Sequence, residues 1–258
     1  MLKPRILVLS GYGLNCEEET AFAFERAGGS AEIVHLNDLI RGIKKLKNYQ
    51  ILAVPGGFSF GDDTGSGKAF ANKFKNHLSG ELQTFVESDK LVIGICNGFQ
   101  ILTNLGLLPG ALVFNDSARY IDRWVDIKIE GKSPWLAGIN MLSVPIAHGE
   151  GKYFAEPKTL NQLKKAQRIA ATYAKGDICR REDLPANPNG SLNNIAAVLS
   201  YEGRVLGLMP HPERAISFTQ LPHWTRLKEE HLRAGRALPK DGPGLQLFQN
   251  AVRYFQHR

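Results

Sequence analysis

The stretch VIGICNGFQIL, residues 92–102, sets a cysteine between an unbroken apolar run and two glycines. The run before Cys96 reads as a short buried strand, and the residues after it read as the start of a helix. A residue at such a strand-to-helix turn is forced into a strained backbone conformation and projects its side chain from the top of a sheet. Crowding there demands small neighbours, which Gly94 and Gly98 supply two positions to either side. G-x-C-x-G is the thiol counterpart of a serine elbow. Unpaired amides at the helix N-terminus favour an anion at that place and leave the N–H of Asn97 free to donate to an oxyanion. The competing reading is a buried core thiol, which is common in strands. The two glycines and the helix start favour the nucleophile.

A thiol nucleophile needs a base, and the base needs an orienting group. Two segments carry H-x-E, His148 with Glu150 and His211 with Glu213. In extended backbone, residues i and i+2 point the same way, so either glutamate could hold its own histidine. HGEG is bracketed by glycines and reads as flexible. MPHPER follows a buried strand, and Pro212 fixes its own φ and biases His211 toward extended geometry. Context therefore favours His211–Glu213 and leaves His148–Glu150 as the alternative. A second oxyanion donor is available from PGGFSFGDD, residues 55–63, whose glycine amides can approach a substrate closely.

Other candidates carry less. GYGLNC has Cys16 where a dinucleotide fingerprint needs its third glycine, and GSGK at 65–68 lacks the remaining P-loop residues, with Asp62 and Ala69 in their places. No histidine spacing suggests a metal site. Cys16, beside the first strand–helix turn, reads as structural, and Cys179 reads as part of a charged loop. Three scattered cysteines without C-x-x-C imply free thiols and a reducing, cytoplasmic setting. The formal charge of +7 comes from 32 basic and 25 acidic residues in scattered positions, without the basic–aromatic stripe of a nucleic-acid binder. No apolar run approaches the roughly 20 residues of a membrane helix.

These groups need a scaffold. RILVLS (5–10), AEIVHL, QILAV and LVIGIC read as short, fully apolar strands; 16–27, 79–88 and the stretch after Cys96 read as helices, the first opened by an Asn15–Glu18 capping box. Apolar strands alternating with helices predict an α/β fold with a mostly parallel central sheet covered by helices on both faces. The second half adds β elements: ALVF, RWVDIKIEG, LSVPIA, IAATYA, and a hairpin turning at Glu202-Gly203. Leu245, Phe248, Val252 and Phe255 place one face of a closing helix on the body. The chain reads as a single domain, 1–258, with a C-terminal extension from about residue 216.

With these residues assembled, the chain resembles the triad (class I) glutamine amidotransferases, and within them the glutaminase subunits that serve a purine-pathway synthetase. The matching pieces are GLNCEEE, VPGGFSFGDD, GICNGFQILTNLGLLPGAL, NDSARYIDRWV, PIAHGEGKYF, NPNGSLNNIAAV and GLMPHPERA, in order from residue 13 to 215. The resemblance implies that Cys96 attacks the side-chain amide of glutamine, with His211 as base then acid and Glu213 orienting it. It implies an oxyanion hole from the amides of Gly57 or Phe58 and of Asn97. Gln100 would line the glutamine pocket, and Asn115, Ser117 and Arg119 would grip the α-amino and α-carboxylate groups. His148 and Glu150 would lie at the surface where ammonia passes to a partner. No cofactor is expected in this chain: ATP, magnesium and formylglycinamide ribonucleotide would bind a large synthetase subunit, accompanied by a small accessory subunit. The loop 62–70 and the tail after 215 depart from a short form of the family and match a longer one. The alternative is a triad amidotransferase serving a different acceptor synthetase.

Overall fold

Continuous apolar runs explain the first half of the chain in the computed structural model, which describes residues 3–62 and 65–256. Strands β1 (Arg5–Ser10), β2 (Ser30–His35), β3 (Ile51–Val54) and β4 (Leu91–Ile95) alternate with helices α1 (Glu17–Arg26), α2 (Leu36–Ile40), α3 (Lys68–Glu87) and α4 (Asn97–Asn104). Every residue of β3 and β4 is buried, as a strand covered on both faces requires. Next come β5 (Ala111–Val113), β6 (Ile121–Ile129), β7 (Met141–His148) and β8 (Lys152–Phe154), then α5 (Pro157–Lys165), β9 (Ile169–Ala174) and α6 (Asp177–Arg181). Strands β10 (Ile195–Ser200) and β11 (Val205–Leu208) and helices α7 (Trp224–Arg233) and α8 (Leu245–Gln256) complete the chain.

Nine strands form one sheet in the order β2-β1-β3-β4-β11-β10-β9-β6-β7. The half from β2 to β11 is parallel; from β11 to β7 each pairing is antiparallel. The carboxyl ends of β1, β3, β4 and β11 therefore open onto one edge, where α/β sheets bind ligands. Gly94 and Gly207 are register partners in β4 and β11. A Cβ at Gly207 would come 2.3 Å from the Phe99 ring, and one at Gly94 2.6 Å from the Gly98 carbonyl. These two glycines cut the trough in which α4 lies.

The hairpin at Glu202-Gly203 forms as expected, β10 pairing antiparallel with β11. Helix α8 buries Leu245, Phe248 and Val252 and sets the Phe248 ring edge-on to Phe24, with centroids 4.9 Å apart. Burying one such side chain contributes on the order of 2 kcal/mol.

Some local expectations change. The Asn15–Glu18 capping box does not form. Asn15 and Cys16 both donate their amides to the Gly56 carbonyl at 3.2 Å, so the turn is anchored to the loop after β3 and Cys16 becomes the N-cap of α1. The helix expected at 79–88 is the last half of α3, whose earlier turns bury Phe70, Ala71, Phe74 and Leu78 at spacings of one, three and four. Cys179 lies on α6, fully buried, and its amide donates to Asp126 Oδ2 at 3.0 Å rather than sitting in a charged loop. Within the loop 62–70, Asp63 and Thr64 lie outside the described residues. Among the described residues, no helix is long and apolar enough to cross a membrane.

Two glycines separate crowding from propensity. A Cβ at Gly98 would sit 1.8 Å from the Val54 carbonyl, whereas one at Gly80 in α3 meets nothing within 4 Å. Gly98→Ala is expected to destabilise by at least about 2 kcal/mol. Gly80→Ala is expected to stabilise by about 0.5–1 kcal/mol. Urea unfolding monitored by circular dichroism checks both signs.

Candidate active site

The turn from β4 into α4 places Cys96 at φ 51° and ψ −108°, a left-handed backbone held by its surroundings. The Cys96 amide donates to Leu208 O at 2.8 Å, tying the elbow to the end of β11. Only 5% of the residue is exposed, and the thiol rests 3.7 Å from the Ala147 carbonyl on β7. Gly98 brings the α4 backbone against Val54, so β3 and the elbow share one crevice.

His211 follows β11, and its amide donates to Pro145 O at 2.8 Å. Strand β7 therefore braces both Cys96 and His211. Nδ1 of His211 stands 2.6 Å from Glu213 Oε1, with both side chains buried. A carboxylate can only accept, so Nδ1 carries the proton and Nε2 is left for the reaction. Among the described residues, Nε2 has no hydrogen-bond partner. Burial, the largest single influence on His211, pushes its pKa down; Glu213, Cys96 and Cys16 together outweigh it and hold the group well above the ordinary histidine range.

Gly56 is a site residue that sequence reading missed. A Cβ there would stand 2.8 Å from His211 Cε1, 3.0 Å from Cys16 Sγ and 3.5 Å from Cys96 Cβ. Three reactive side chains thus converge on one glycine. Its place between Pro55 and Gly57 at the end of an apolar strand was the available signal. Donor atoms of Cys16, His211 and Glu213 lie within 4.8 Å of one another, the one group of metal-ligand type among the described residues. Within it, Nδ1 and Oε1 are already engaged with each other.

Of the two expected oxyanion donors on the β3 loop, Phe58 donates its amide to Gly13 O at 2.9 Å. Gly57 makes no such bond among the described residues, so it is the better placed of the pair. The first amides of α4, those of Asn97 and Gly98, are likewise free of helix bonds.

The expected glutamine-binding residues differ in exposure. Gln100 is buried, accepting from Asn97 Nδ2 at 2.7 Å and donating to Glu150 O at 2.6 Å. Asn115 is also buried; it accepts from Gly151 N at 3.1 Å and donates to the carbonyls of Arg119 and His148, each at 2.9 Å. Both amides are engaged inside the protein. Ser117 and Arg119 are exposed on the turn that follows.

The HGEG loop is clamped rather than flexible. Asn115 holds it from one side, Gln100 holds the Glu150 carbonyl, and Asn189 of the NPNGS loop donates to Gly151 O at 2.8 Å. His148 is buried rather than exposed at the protein surface, with Nδ1 3.1 Å from Asn115 Oδ1. The Glu150 carboxylate turns away and accepts from Ser66 N at 3.3 Å. No His148–Glu150 pair exists, which removes the alternative base. Burial, then the charge on His211, lowers the His148 pKa to about 4, so it is neutral near pH 7.

Comparisons with known proteins identify the family and the fold. Residues 3–255 match the model of the CobB/CobQ-like glutamine amidotransferase domain. The chain is similar to phosphoribosylformylglycinamidine synthase subunit PurQ of Methanococcus maripaludis, 48% identical over 266 residues, covering 98% of this chain and 97% of that one. It is 39% identical over 264 residues to the same subunit of Dehalococcoides mccartyi, covering 98% of each. Among solved structures, PurLQS from Thermotoga maritima matches with a TM-score of 0.74 and 31% identity, covering 98% of this chain and 100% of that chain. A glutamine amidotransferase from Thermotoga maritima shares the fold alone, at TM-score 0.52 and 15% identity over 100% of this chain and 94% of that one.

The two histidines titrate in opposite senses. His148, depressed to about 4, contributes stability that is complete above the unfolded value of 6.5 and is lost as pH falls toward 4. That loss amounts to about 3 kcal/mol. His211, raised, contributes stability that is complete below 6.5 and is lost as pH climbs through its folded value. Histidine ring NMR is expected to show His148 neutral at pH 5.5 and His211 charged at pH 7; a normal titration near 6.5 for either contradicts its assignment.

Proposed function

The chain belongs to the CobB/CobQ-like glutamine amidotransferase family, and we propose that it is the glutaminase subunit of phosphoribosylformylglycinamidine synthase. It hydrolyses glutamine to glutamate and ammonia and delivers the ammonia to a large ATP-dependent synthetase subunit in purine biosynthesis. The observation that carries the reading is Cys96 on a strained elbow facing a buried His211–Glu213 pair. Near-full-length similarity to PurQ subunits supports the choice of acceptor system.

In this reading the proton of Cys96 has passed to His211 Nε2, where the raised pKa of the ring holds it, and Cys96 Sγ attacks the carboxamide carbon as a thiolate. The amides of Gly57 and Asn97 donate to the developing oxyanion, preorganised where the charge appears. His211 then returns the proton to the leaving nitrogen, ammonia departs, and a γ-glutamyl thioester remains. Water, deprotonated by the same imidazole, hydrolyses the thioester to glutamate. Glu213 fixes the tautomer and stabilises the imidazolium in each half-reaction.

The exposed Arg119 guanidinium and Ser117 hydroxyl are assigned to the α-groups of glutamine. Gln100 and Asn115 act from behind, as the frame of that pocket. His148 and Glu150 are placed on the wall toward the ammonia exit, where a neutral imidazole does not trap ammonia as ammonium. ATP, magnesium and formylglycinamide ribonucleotide are assigned to the synthetase, with a small accessory subunit in the assembly; PurLQS is one such assembly by its name. Exposed Phe58 and Tyr120, with rings 5.9 Å apart beside the site, suit a mouth that a partner covers. We read 1–258 as one amidotransferase domain, its tail from about 216 an extension, working in the cytoplasm where its three cysteines stay reduced.

Glutamate release from glutamine tests the proposal, with the protein alone and with its synthetase. Slow hydrolysis alone and marked stimulation by the partner are expected. Cys96→Ala and His211→Ala are expected to lose at least about 10³-fold in kcat, and Glu213→Gln at least about 10²-fold. Full activity of Cys96→Ala sinks the assignment. Normal glutamine-supported synthesis by a His148→Ala, Glu150→Ala double variant removes the role given to that wall.

A further inference from the structure

Cys16 reads from sequence as a structural loop residue, yet only 1% of it is exposed and it lies inside the site. Its sulfur and the His211 ring flank the same face of Gly56, at 3.0 and 2.8 Å from where a Cβ would be. Its sulfur also lies within 4.8 Å of the donor atoms that His211 and Glu213 present. The hydrolytic mechanism uses His211 and Glu213 and gives this thiol no task.

The thiol is held in place by more than packing. The Cys16 amide donates to Gly56 O at 3.2 Å, and Thr20 Oγ1 donates to the Cys16 carbonyl at 2.6 Å. Arg214 Nη2 donates to Cys16 Sγ at 3.1 Å, while Arg214 Nε donates to Glu19 Oε1 at 2.9 Å. Glu19 thereby keeps the guanidinium turned toward α1, and the guanidinium fixes the sulfur. The thiol hydrogen has an acceptor in Asn15 Oδ1 at 3.4 Å. The sulfur's remaining face is the one toward the imidazole.

We propose that Cys16 is a positioning residue for His211, its fixed sulfur supporting the imidazole edge and stabilising the imidazolium that forms when Cys96 gives up its proton. Sulfur is a weak but polarisable acceptor, and inside a dry site such a contact is stronger than in water. The proposal rests on His211 being the base. The titratable and charged groups facing His211 are Cys96 from the elbow, Cys16 from the start of α1, and Glu213 and Arg214 from its own segment. Among the described residues, His148 from β7 and Tyr120, just before β6, face it as well. Cys16 can be altered without removing nucleophile, base or orienter.

The test is the pH dependence of kcat/KM for glutamine in the full synthetase complex, for Cys16→Ser, Cys16→Val and Cys16→Ala. Serine keeps an acceptor; valine fills the volume without one; alanine removes both. Val and Ala are expected to lower kcat by about 5- to 20-fold with KM within about twofold. Their alkaline limb, which reports loss of the imidazolium proton, is expected to move to lower pH by at least about 0.5 unit, and Ser to keep the wild-type limb. Val and Ala limbs coincident with wild type overturn the proposal, as does a Ser limb shifted as far as theirs. If Cys16→Val does not fold, the Ser–Ala pair decides. Retained activity in Cys96→Ala removes instead the reading of His211, so the two failures are told apart.

Discussion

The structure turns on one buried contact, the 2.6 Å hydrogen bond between His211 Nδ1 and Glu213 Oε1. Taking a carboxylate out of water costs several kcal/mol, and the Coulomb attraction and hydrogen bond of a close partner offset that cost only when geometry is good. The geometry here is set by a two-residue spacing in a segment that Pro212 stiffens and the Pro145 carbonyl anchors. A proton held on Nδ1 follows directly, since an acceptor-only carboxylate takes a hydrogen bond and cannot give one. The contact also explains the contrast with His148, equally buried but facing an amide, which drops to about 4 where His211 rises. Desolvation acts on both rings; only one has a carboxylate to oppose it.

Bringing that pair to the thiol is the work of glycines. Gly94, Gly98 and Gly207 let α4 press into the sheet, and Gly56 lets the loop after β3 lie against Cys16, Cys96 and His211. Each would clash if it carried a Cβ, and together they set how closely β3, β4, β11 and α4 can approach. The left-handed backbone of Cys96 is the local consequence. Polar loops then lock the rear wall: Asn115, Gln100 and Asn189 engage the HGEG backbone, so a glycine-rich segment is rigid because its carbonyls and amides have side-chain partners.

Local signals carried far in this sequence. Strand–turn–helix patterning with two glycines located the elbow, and an H-P-E at the end of an apolar strand located the buried His211–Glu213 pair. The parallel half of the sheet followed from apolar runs that need cover on both faces. What was not legible depended on contacts distant in the chain. Cys16 and Gly56 look ordinary until β1 and β3 are aligned, because a parallel sheet brings their carboxyl ends together over more than 40 residues. HGEG looked flexible because its partners lie at 100, 115 and 189. The internal partners of Gln100 and Asn115 were not legible either, because sequence shows that a side chain is polar and not what it bonds. Helix α7 escaped because it buries no side chain, and periodicity is a record of burial.

The central claim is that Cys96, and no other thiol, forms a covalent bond to the γ-carbonyl of glutamine. Acid quenching during turnover in the synthetase complex, followed by intact-mass and peptide mass spectrometry, measures that bond directly. The account expects the chain to gain the mass of one glutamyl group, located on the peptide containing Cys96 and absent from Cys96→Ala. A glutamyl adduct on Cys16 or Cys179, or sustained turnover with no adduct at any quench time, would contradict it.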